Sequence, residues 1–290
     1  MKQLNRKVAI ITGANQGLGL QIAEHYINNG ASIAICARNE SKLFDVKKTL
    51  EKNISSHQKI FASTCDVSNF EEVNKFIDRV YNELGSIDIL VNNAGVYGPK
   101  GKIENINWSE WVKAIEINLF GSILMTRAIL PFYKKKQRGK IIQLSGGGAT
   151  NPLPNISAYA ASKAAIVRYV ETLAEEVREF NIDVNAVAPG ALNTQMLDEI
   201  IQAGPEKVGS SFYKKSLKQK ETGGAPLTIG ADLIVFLGSD ASNGITGKLI
   251  SAMWDNWEEW PKHLDELNKS DVYSLRRITG RDRAMDWGDR

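Results

Sequence analysis

Short, uninterrupted apolar runs recur along this chain, and each is followed by a stretch with helical periodicity. The runs are KVAIIT at 7–12, SIAICA at 32–37, IFAST at 60–64 and four later ones that begin near 87, 140, 182 and 248. Apolar runs without alternation are typical of strands that are buried on both faces of a parallel sheet. The pattern therefore predicts an α/β protein whose seven-stranded parallel sheet is doubly wound, with helices on both faces.

Helical periodicity fills most of the intervals between these runs. We expect helices up to Asn29 and over 40–52, 69–84, 108–135, 157–180 and 229–238. Gly85 follows one of them, as is typical of a residue that ends a helix in the left-handed conformation. Between about 190 and 229 the chain is rich in lysine and lacks a clear period, so we expect irregular structure there.

Composition narrows the class of protein. The 290 residues, 43% hydrophobic and 24% charged, suit one large globular domain, and no linker or repeat divides them. A net charge of +3 gives no reason to expect nucleic acid, and no apolar run is long enough to cross a bilayer. The histidines match no metal-binding spacing, and both cysteines suit burial rather than a disulfide. We expect a cytoplasmic protein without a metal, nucleic-acid or membrane partner.

A glycine-rich turn, TGANQGLG at 12–19, follows the first predicted strand. Its glycines allow the backbone to approach a pyrophosphate, and the helix that follows offers free N–H groups, although tight packing alone also explains such a turn. Ligands of open α/β sheets bind at the carboxyl ends of the strands. Other strand ends carry NNAG at 92–95, Ser145 and the PG pair at 189–190. We expect these segments to converge.

Tyr159 and Lys163 stand four residues apart in the helix after the fifth strand. This spacing puts both side chains on one helix face, and an ammonium beside a phenol favours the phenolate. Such pairs are also common on ordinary amphipathic helices. Their position at the same sheet edge as the glycine-rich turn favours acid–base chemistry.

Five motifs in chain order resemble the short-chain dehydrogenase/reductase family, in its compact single-domain branch. They are TGANQGLG, NNAG, Asn118, YAASK at 159–163 and PGALNT at 189–194, and the match runs over about residues 5–253. The resemblance implies a Rossmann-type fold, NAD(P)-dependent redox chemistry on an alcohol or carbonyl, and a homodimer or homotetramer.

The resemblance also implies residue roles. Tyr159 is the expected proton donor in reduction and base in oxidation, Lys163 assists it and binds the nicotinamide ribose, and Asn118 holds a water that links Lys163 to solvent. Asp66 either contacts the adenine or caps the next helix, and Thr194 contacts the nicotinamide carboxamide. The expected cofactor contacts are Gly13, Asn15, Gln16, Gly17, Leu18, Gly19, Arg38, Asp66, Val67, Asn92, Ala94, Gly95, Tyr159, Lys163, Pro189, Gly190 and Thr194.

Arg38 follows the second strand, near the place where NAD-preferring members of the family carry Asp or Glu. Ala37 occupies that place in this chain, so no carboxylate repels a 2′-phosphate. A guanidinium is well suited to bind one. We therefore expect NADP(H) to be favoured over NAD(H).

The chain departs from the family pattern at one catalytic position. A Ser is expected thirteen residues before the Tyr, but Gly146 stands there and Ser145 lies one residue early. Either the flexible glycines at 146–148 shift the backbone so that Ser145 serves, or a backbone N–H replaces the hydroxyl, or the protein is catalytically silent. We expect the first. The expected catalytic residues are then Tyr159, Lys163, Asn118 and Ser145.

Two segments carry little of the family pattern. Residues from about 195 to 225 are the expected lid over the substrate, and their lysines at 214, 215, 218 and 220 indicate either an anionic substrate or a solvated surface. The segment 254–290 contains four tryptophans, which need burial on the domain, on another subunit or at the active site. We divide the chain into a catalytic domain, 1–253, and this Trp-rich extension.

Together these features predict an NADPH-dependent oxidoreductase that reduces a small-molecule carbonyl or oxidises the matching secondary alcohol. Hydride transfer would be assisted by Tyr159 and Lys163. A catalytically silent dinucleotide-binding sensor or scaffold is the main alternative. An enzyme that modifies nucleotide sugars is a narrower one.

Overall fold

Seven parallel strands form one sheet in the order β3-β2-β1-β4-β5-β6-β7. This is a computed structural model, and it describes residues 2–285 and 287. The strands are β1 (Val8–Thr12), β2 (Ser32–Ala37), β3 (Ile60–Thr64), β4 (Ile89–Asn92), β5 (Gly139–Leu144), β6 (Ile182–Ala188) and β7 (Leu249–Ser251). The predicted doubly wound, Rossmann-type sheet is confirmed.

Helices cover both faces of the sheet. They are α1 (Gly17–Asn28), α2 (Glu40–Leu50), α3 (Phe70–Leu84), α4 (Trp108–Ile115), α5 (Gly121–Lys136), α6 (Ser157–Glu176), α7 (Gln195–Val208), α8 (Ser210–Thr222), α9 (Leu227–Gly238) and α10 (Leu264–Lys269). A π-helical turn, Glu116–Phe120, joins α4 to α5. Gly85 ends α3 with a φ of +74°, as its position predicts.

The strands are apolar throughout because their side chains enter two separate cores. In β2, Ile33 and Ile35 belong to the core that α1 and α9 cover, whereas Ala34 and Cys36 belong to the core under α3, α5 and α6. Each strand therefore has no solvated face on which polar residues would alternate. Cys36 and Cys65 are both buried free thiols, as predicted.

The direction of the chain through the sheet reverses between β1 and β4. From β1 the chain proceeds outward to β2 and β3, and it then returns to β4 on the other side of β1. The connections after β1 and β4 therefore diverge and leave a crevice at the carboxyl ends of these strands. The candidate site lies at this crevice.

The helical stretch from α4 to α5 has an unexpected property. By length and composition, Trp108–Lys136 is apolar enough to cross a membrane, so the expectation that no such segment exists is wrong. Met125, Ile129 and Tyr133 of this stretch are fully buried in the second core. These three side chains pack the stretch against the sheet.

The Lys-rich segment that we expected to be irregular is helical. It forms α7, which is kinked at Gly204, and α8, and Gly209 separates the two helices with a φ of +85°. On α8 the lysines at 214, 215 and 218 are exposed, while Phe212 and Tyr213 are partly buried. The polar outer face of α8 obscured its helical period in the sequence.

Part of the Trp-rich extension packs on the domain. Trp260 is 5% exposed and belongs to the first core, and the Trp257 ring centroid lies 5.1 Å from that of Phe236 in α9. Trp254 and Trp287 are 86% and 84% exposed. Two of the four tryptophans in the extension thus cover the α9 side of the sheet, and two face solvent.

Candidate active site

The glycine-rich turn between β1 and α1 depends on its glycines for backbone conformation and for close packing. Gly13 and Gly17 have φ values of +65° and +54°, in the left-handed region. A Cβ atom at Gly19 would lie 2.3 Å from the Gly13 carbonyl oxygen. Asn93 pins the turn to the chain after β4, because its Nδ2 donates to the carbonyl oxygens of Thr12 at 2.9 Å and Gly13 at 3.2 Å.

The N-terminus of α1 opens from this turn and lacks a cap. Its N-cap residue, Gln16, makes no side-chain capping bond, and the first turn contains no acidic residue. Among residues 2–285, no carboxylate accepts a hydrogen bond from the first N–H groups of the helix. Free N–H groups, a partial positive charge and a bare glycine backbone fit a pyrophosphate.

Thr194 and Gly190 bring the chain after β6 to the same edge. Thr194 is the N-cap residue of α7, and its Cγ2 lies 3.5 Å from the position that a Cβ of Gly17 would occupy. Gly190 has a φ of +101°, and a side chain there would meet Met253 and Ala225. Pro189 packs against Gly230 of α9. The structure thus brings the PG pair, Thr194 and the glycine-rich turn together.

Three of the expected cofactor residues have side chains that face the protein interior. Leu18 is in the first core, and Val67 packs against Gly121 of α5. The Asn92 amide donates to Ser122 O at 3.2 Å and Thr126 Oγ1 at 3.3 Å. Only the backbone of these residues is available to a ligand. Ala94 is next to them, and its N–H donates to Thr12 Oγ1 at 3.0 Å.

Arg38 and Asp66 follow β2 and β3 at the same edge of the sheet. Arg38 is exposed, and its guanidinium forms no hydrogen bond or ion pair with another residue within 2–285. Burial alone would raise the pKa of Asp66, but two hydrogen bonds from Ser68 and the charges of Lys113 and Arg38 lower it below the usual value. Asp66 is therefore a carboxylate that is stabilised by Ser68 and by nearby positive charges, of which Lys113 forms an ion pair with it at 3.9 Å.

Asp66 does not cap the helix that follows it, which excludes one of the two roles that the sequence left open. The cap of α3 is Asn69, whose Oδ1 accepts the N–H groups of Glu71 and Glu72. Asp66 Oδ1 instead accepts the Ser68 N–H at 2.9 Å and the Ser68 hydroxyl at 2.6 Å. The Asp66 carboxylate thus closes a turn before the helix, and the Asn69 side chain caps the helix itself. The sequence alone did not show which of these two acceptors is the cap.

Tyr159 and Lys163 occupy the first two turns of α6. Lys163 is 5% exposed, its Nζ donates to the Leu144 carbonyl at 2.6 Å, and it lies 5.6 Å from the Tyr159 ring centroid. Burial lowers the pKa of Lys163 to about 8. Burial also raises the pKa of Tyr159 above its usual value, and the neighbouring Tyr97 adds to this rise. The environment thus favours a neutral phenol and weakens the hold of Lys163 on its proton.

Asn118 lies in the π-helical turn and faces the chain after β4. Its Oδ1 accepts the Val96 N–H at 2.8 Å, and its Nδ2 donates to the Val96 carbonyl at 2.8 Å and Ser162 Oγ at 3.0 Å. A Cβ at Gly95 would lie 3.3 Å from Asn118 Oδ1 and 3.7 Å from Lys163 Nζ. The side-chain amide therefore fixes the chain beside Lys163. π-helical turns recur at functional sites.

No hydrogen bond joins the Ser145 hydroxyl to Tyr159 among the residues that the structure describes. Ser145 is 4% exposed, and its Oγ lies 3.5 Å from the Lys163 carbonyl oxygen. The backbone shift that we expected from three flexible glycines is absent, because Gly146 is extended and none of the three has a left-handed φ. A Cβ at Gly146 would lie 2.6 Å from the Tyr159 hydroxyl oxygen. A side chain at 146 would thus require the Tyr159 hydroxyl to shift, whereas the backbone conformation there is open to any residue.

An apolar cluster covers the outer side of Tyr159. Its fully buried members are Ile156, Ile200 and Val208, and Tyr97, Leu153, Tyr159, Ala203, Phe212 and Tyr213 pack against them. The chain after β4, the loop before α6 and both helices of the lid contribute. An ion pair between Lys100 and Glu199, 3.2 Å apart, ties α7 to the chain after β4.

Sequence reasoning missed three residues of this site. Thr12 and Asn93 lie inside the quoted motifs, but their hydrogen bonds hold backbone and need not touch a ligand. Tyr97 lies two residues beyond NNAG, and its ring centroid is 4.7 Å from that of Tyr159. No local spacing connects residues 97 and 159, so only the fold reveals this contact.

Comparisons with known proteins agree with this geometry. Residues 7–204, more than half of the chain, match the family model described as short chain dehydrogenase. The chain is 30% identical over 249 residues to dehydrogenase/reductase SDR family member 4 of Sus scrofa, and this alignment covers 86% of each chain. It is 31% identical over 249 residues to 7alpha-hydroxysteroid dehydrogenase of Escherichia coli strain K12. This alignment covers 86% of this chain and 93% of the relative.

Solved structures show the same fold with bound nicotinamide cofactors. NAD+-bound xylitol dehydrogenase has a TM-score of 0.79 at 26% identity, over 86% of this chain and 98% of that one. A 7 alpha-hydroxysteroid dehydrogenase complexed with NADH and 7-oxo glycochenodeoxycholic acid has a TM-score of 0.76 at 30% identity, over 86% and 93%. The chain therefore belongs to the short-chain dehydrogenase/reductase family and is an NAD(P)-dependent oxidoreductase of carbonyl and alcohol groups.

Proposed function

We propose that the protein reduces an uncharged, apolar ketone, or oxidises the matching secondary alcohol, with NADP(H) as its preferred cofactor and Tyr159 as acid and base. The observation that carries this proposal is the buried Lys163 amine, held beside the Tyr159 ring at the end of β5. A buried amine costs stability unless it is paired, and its main partner here is one backbone carbonyl. Groups perturbed in this way concentrate at functional sites.

Tyr159 would move the proton. In reduction its hydroxyl gives a proton to the substrate oxygen, and in oxidation its phenolate takes one back. When bound, the cofactor supplies or accepts the hydride. Burial raises the pKa of Tyr159, which keeps the phenol protonated until it donates to the substrate. The base requires a nearby positive charge, and Lys163 supplies it, because an ammonium and a phenolate stabilise each other across this distance.

Lys163 would assist Tyr159 and position the cofactor, and Asn118 would support this site. Lys163 lies next to the backbone of Gly95, where a cofactor ribose would pass. Its Nζ donates one hydrogen bond to the Leu144 carbonyl, and its other N–H groups would be available to the ribose. The Asn118 side chain is occupied by Val96 and Ser162. The Asn118 side chain therefore supports the site structurally. The water that is expected to link Lys163 to solvent would be held by other groups of the π-helical turn.

The cofactor preference rests on this chain's own residues, since the solved relatives carry NAD+ or NADH. Arg38 is exposed and has no ion-pair partner within 4.0 Å among the described residues. Burial, the Ser68 hydrogen bonds and Lys113 affect the pKa of the neighbouring Asp66 more than Arg38 does. A 2′-phosphate would give the guanidinium the acceptor that it lacks. We therefore propose NADP(H) over NAD(H).

The surroundings of Tyr159 favour an uncharged ligand over an anionic one. The cluster around Tyr159 is built from apolar and aromatic side chains. The lid lysines at 214, 215 and 218 are exposed, and Lys220 pairs with Asp198 at 2.6 Å. Lys100, whose Nζ lies 5.7 Å from the Tyr97 ring centroid, is paired with Glu199. Apart from Lys163, the cations named here are either paired or exposed on the lid, so we do not propose a nucleotide sugar.

A catalytically silent cofactor-binding protein is the second candidate. Gly146 stands where the family carries a hydroxyl, and the Tyr159 hydroxyl fills the space of the missing side chain. A silent protein would bind NADPH without oxidising it in the presence of any ketone. The buried Lys163 favours the enzyme, because binding alone does not require a perturbed amine beside a phenol.

Assembly and location remain predictions. We propose a homodimer or homotetramer, for which the exposed Trp108 and Phe120, 65% and 51% accessible, offer apolar surface. A cytoplasmic location is likewise a prediction from composition. The same holds for the division into a domain at 1–253 and an extension at 254–290.

Replacing Tyr159 with Phe should lower turnover about 100- to 10,000-fold, the range for a lost general acid. The dissociation constant of NADPH should stay within about twofold, because the hydroxyl acts on the substrate. NADPH oxidation with a panel of apolar ketones gives turnover, and NADPH fluorescence gives affinity. Tyr81→Phe, on the exposed face of α3, is the matched control. Equal loss of turnover and cofactor affinity would assign Tyr159 a structural role.

Replacing Arg38 with Asp should change cofactor choice. The change exchanges a phosphate partner for a repelling charge, so NADPH binding should weaken about 10- to 100-fold more than NADH binding. Fluorescence titration of both cofactors gives the ratio of dissociation constants. Arg6→Asp reverses an exposed charge near the N-terminus and serves as the control. An unchanged ratio removes Arg38 from the cofactor site.

Replacing Lys163 with Met should change how the cofactor-free protein's stability depends on pH. Burial lowers the pKa of Lys163 to about 8, from 10.5 in the unfolded chain. Between these values the unfolded state binds more protons, so the free energy of unfolding rises with pH. From pH 7 to pH 10, the stability of the unaltered protein minus that of the variant should rise by about 2 kcal/mol in denaturant melts. A flat difference would mean that Lys163 is solvated.

A further inference from the structure

The site lacks a side-chain donor at the position where the family pattern has one. Gly146 carries no side chain, and a Cβ there would lie 2.6 Å from the Tyr159 hydroxyl oxygen. A serine at 146 would therefore collide with Tyr159 as it stands. Ser145 Oγ is directed to the Lys163 carbonyl oxygen, 3.5 Å away. A carbonyl substrate at Tyr159 needs a second donor, because charge develops on its oxygen during hydride transfer.

Tyr97 is a second hydroxyl-bearing residue in contact with Tyr159. The two ring centroids are 4.7 Å apart and the ring planes are inclined by 57°. The contacts of the Tyr97 side chain with the described residues include ring and cation contacts but no hydrogen bond of its hydroxyl. The Tyr97 hydroxyl is thus a donor without a protein acceptor, next to the proposed acid.

The backbone on both sides of Tyr97 is fixed. Val96 exchanges two hydrogen bonds of 2.8 Å with the Asn118 side chain. Gly98 has a φ of +73° and packs so closely on Ala114 that a Cβ would approach it to 2.6 Å. The position of the Tyr97 ring is therefore set by the same π-helical turn that lies beside Lys163. A donor held in this way needs little reorganisation during reaction.

The surroundings of Tyr97 keep it a neutral donor. Burial, with a contribution from Glu199, raises the pKa of Tyr97 to about 12. Lys100 Nζ lies 5.7 Å from the ring centroid and is paired with Glu199. Tyr97 also packs in the apolar cluster that contains Ile156 and Ile200. The phenol is thus protonated at every pH at which the protein is expected to work, in a setting that strengthens hydrogen bonds.

We propose that the Tyr97 hydroxyl donates a hydrogen bond to the substrate oxygen and so performs the task for which residue 146 has no side chain. The oxygen of an uncharged ketone would then accept from Tyr159 and from Tyr97, and Tyr97 would keep its proton throughout. This inference rests on the proposed function, because it concerns the same reaction.

Two substitutions at Tyr97 separate its hydroxyl from its ring. Tyr97→Phe keeps the ring contact with Tyr159, and Tyr97→Leu removes both. With an apolar ketone and NADPH, Tyr97→Phe should lower kcat about 10- to 100-fold, somewhat less than the loss of an oxyanion donor in a protease. Tyr97→Leu should lower kcat by at least as much and also raise KM. NADPH affinity and the melting temperature of Tyr97→Phe should match those of the Tyr81→Phe control.

Three results would overturn the proposal. The first is a Tyr97→Phe protein whose kcat lies within about threefold of the unaltered value, even if Tyr97→Leu is impaired, since the ring alone would then matter. The second is a loss of about 100-fold in Ser145→Ala with no loss in Tyr97→Phe, which assigns the donor to Ser145. The third is an unaltered protein that binds NADPH but reduces no ketone. This result refutes the proposed function itself, whereas the first two leave it standing.

Discussion

The burial of one amine, Lys163, is the constraint on which the rest of the site depends. Its Nζ is 2.6 Å from the last carbonyl of β5 and close to Gly95 of the chain after β4. Asn118 closes the same space from the π-helical turn. Burying an amine is unfavourable unless its hydrogen bonds are satisfied, so these segments can meet only in an arrangement that offers oxygen acceptors. The geometry that makes this burial tolerable also places the amine beside Tyr159.

Much of the fold could be predicted from the sequence because burial on both faces removes polar residues from a strand. The runs at 7–12 and 32–37 became β1 and β2 for this reason. The same logic failed for α7 and α8. These helices bury only a narrow face against the cluster around Tyr159, and the lysines on their outer face hid the period. Patterns of burial are visible in a sequence only where the buried face is wide.

The candidate site was predictable only where a motif is local. Lys163 follows Tyr159 by one helical turn, and the spacing alone puts them on one face. The contact between Tyr97 and Tyr159 joins residues that are distant in the chain, and no period or spacing reports it. Gly146 shows a further limit. We expected glycine to supply unusual backbone angles, but the residue is extended and its missing side chain makes room for the Tyr159 hydroxyl.

The central claim is that Lys163 makes the ionisation of Tyr159 possible near neutral pH. Ultraviolet titration of the NADP+ complex measures phenolate formation, and subtracting the matching Tyr159→Phe protein isolates this one residue. We predict an apparent pKa below the free tyrosine value of about 10, and a pKa at least about one unit higher when Lys163 is replaced with Met. The same pKa with and without Lys163 would contradict the account.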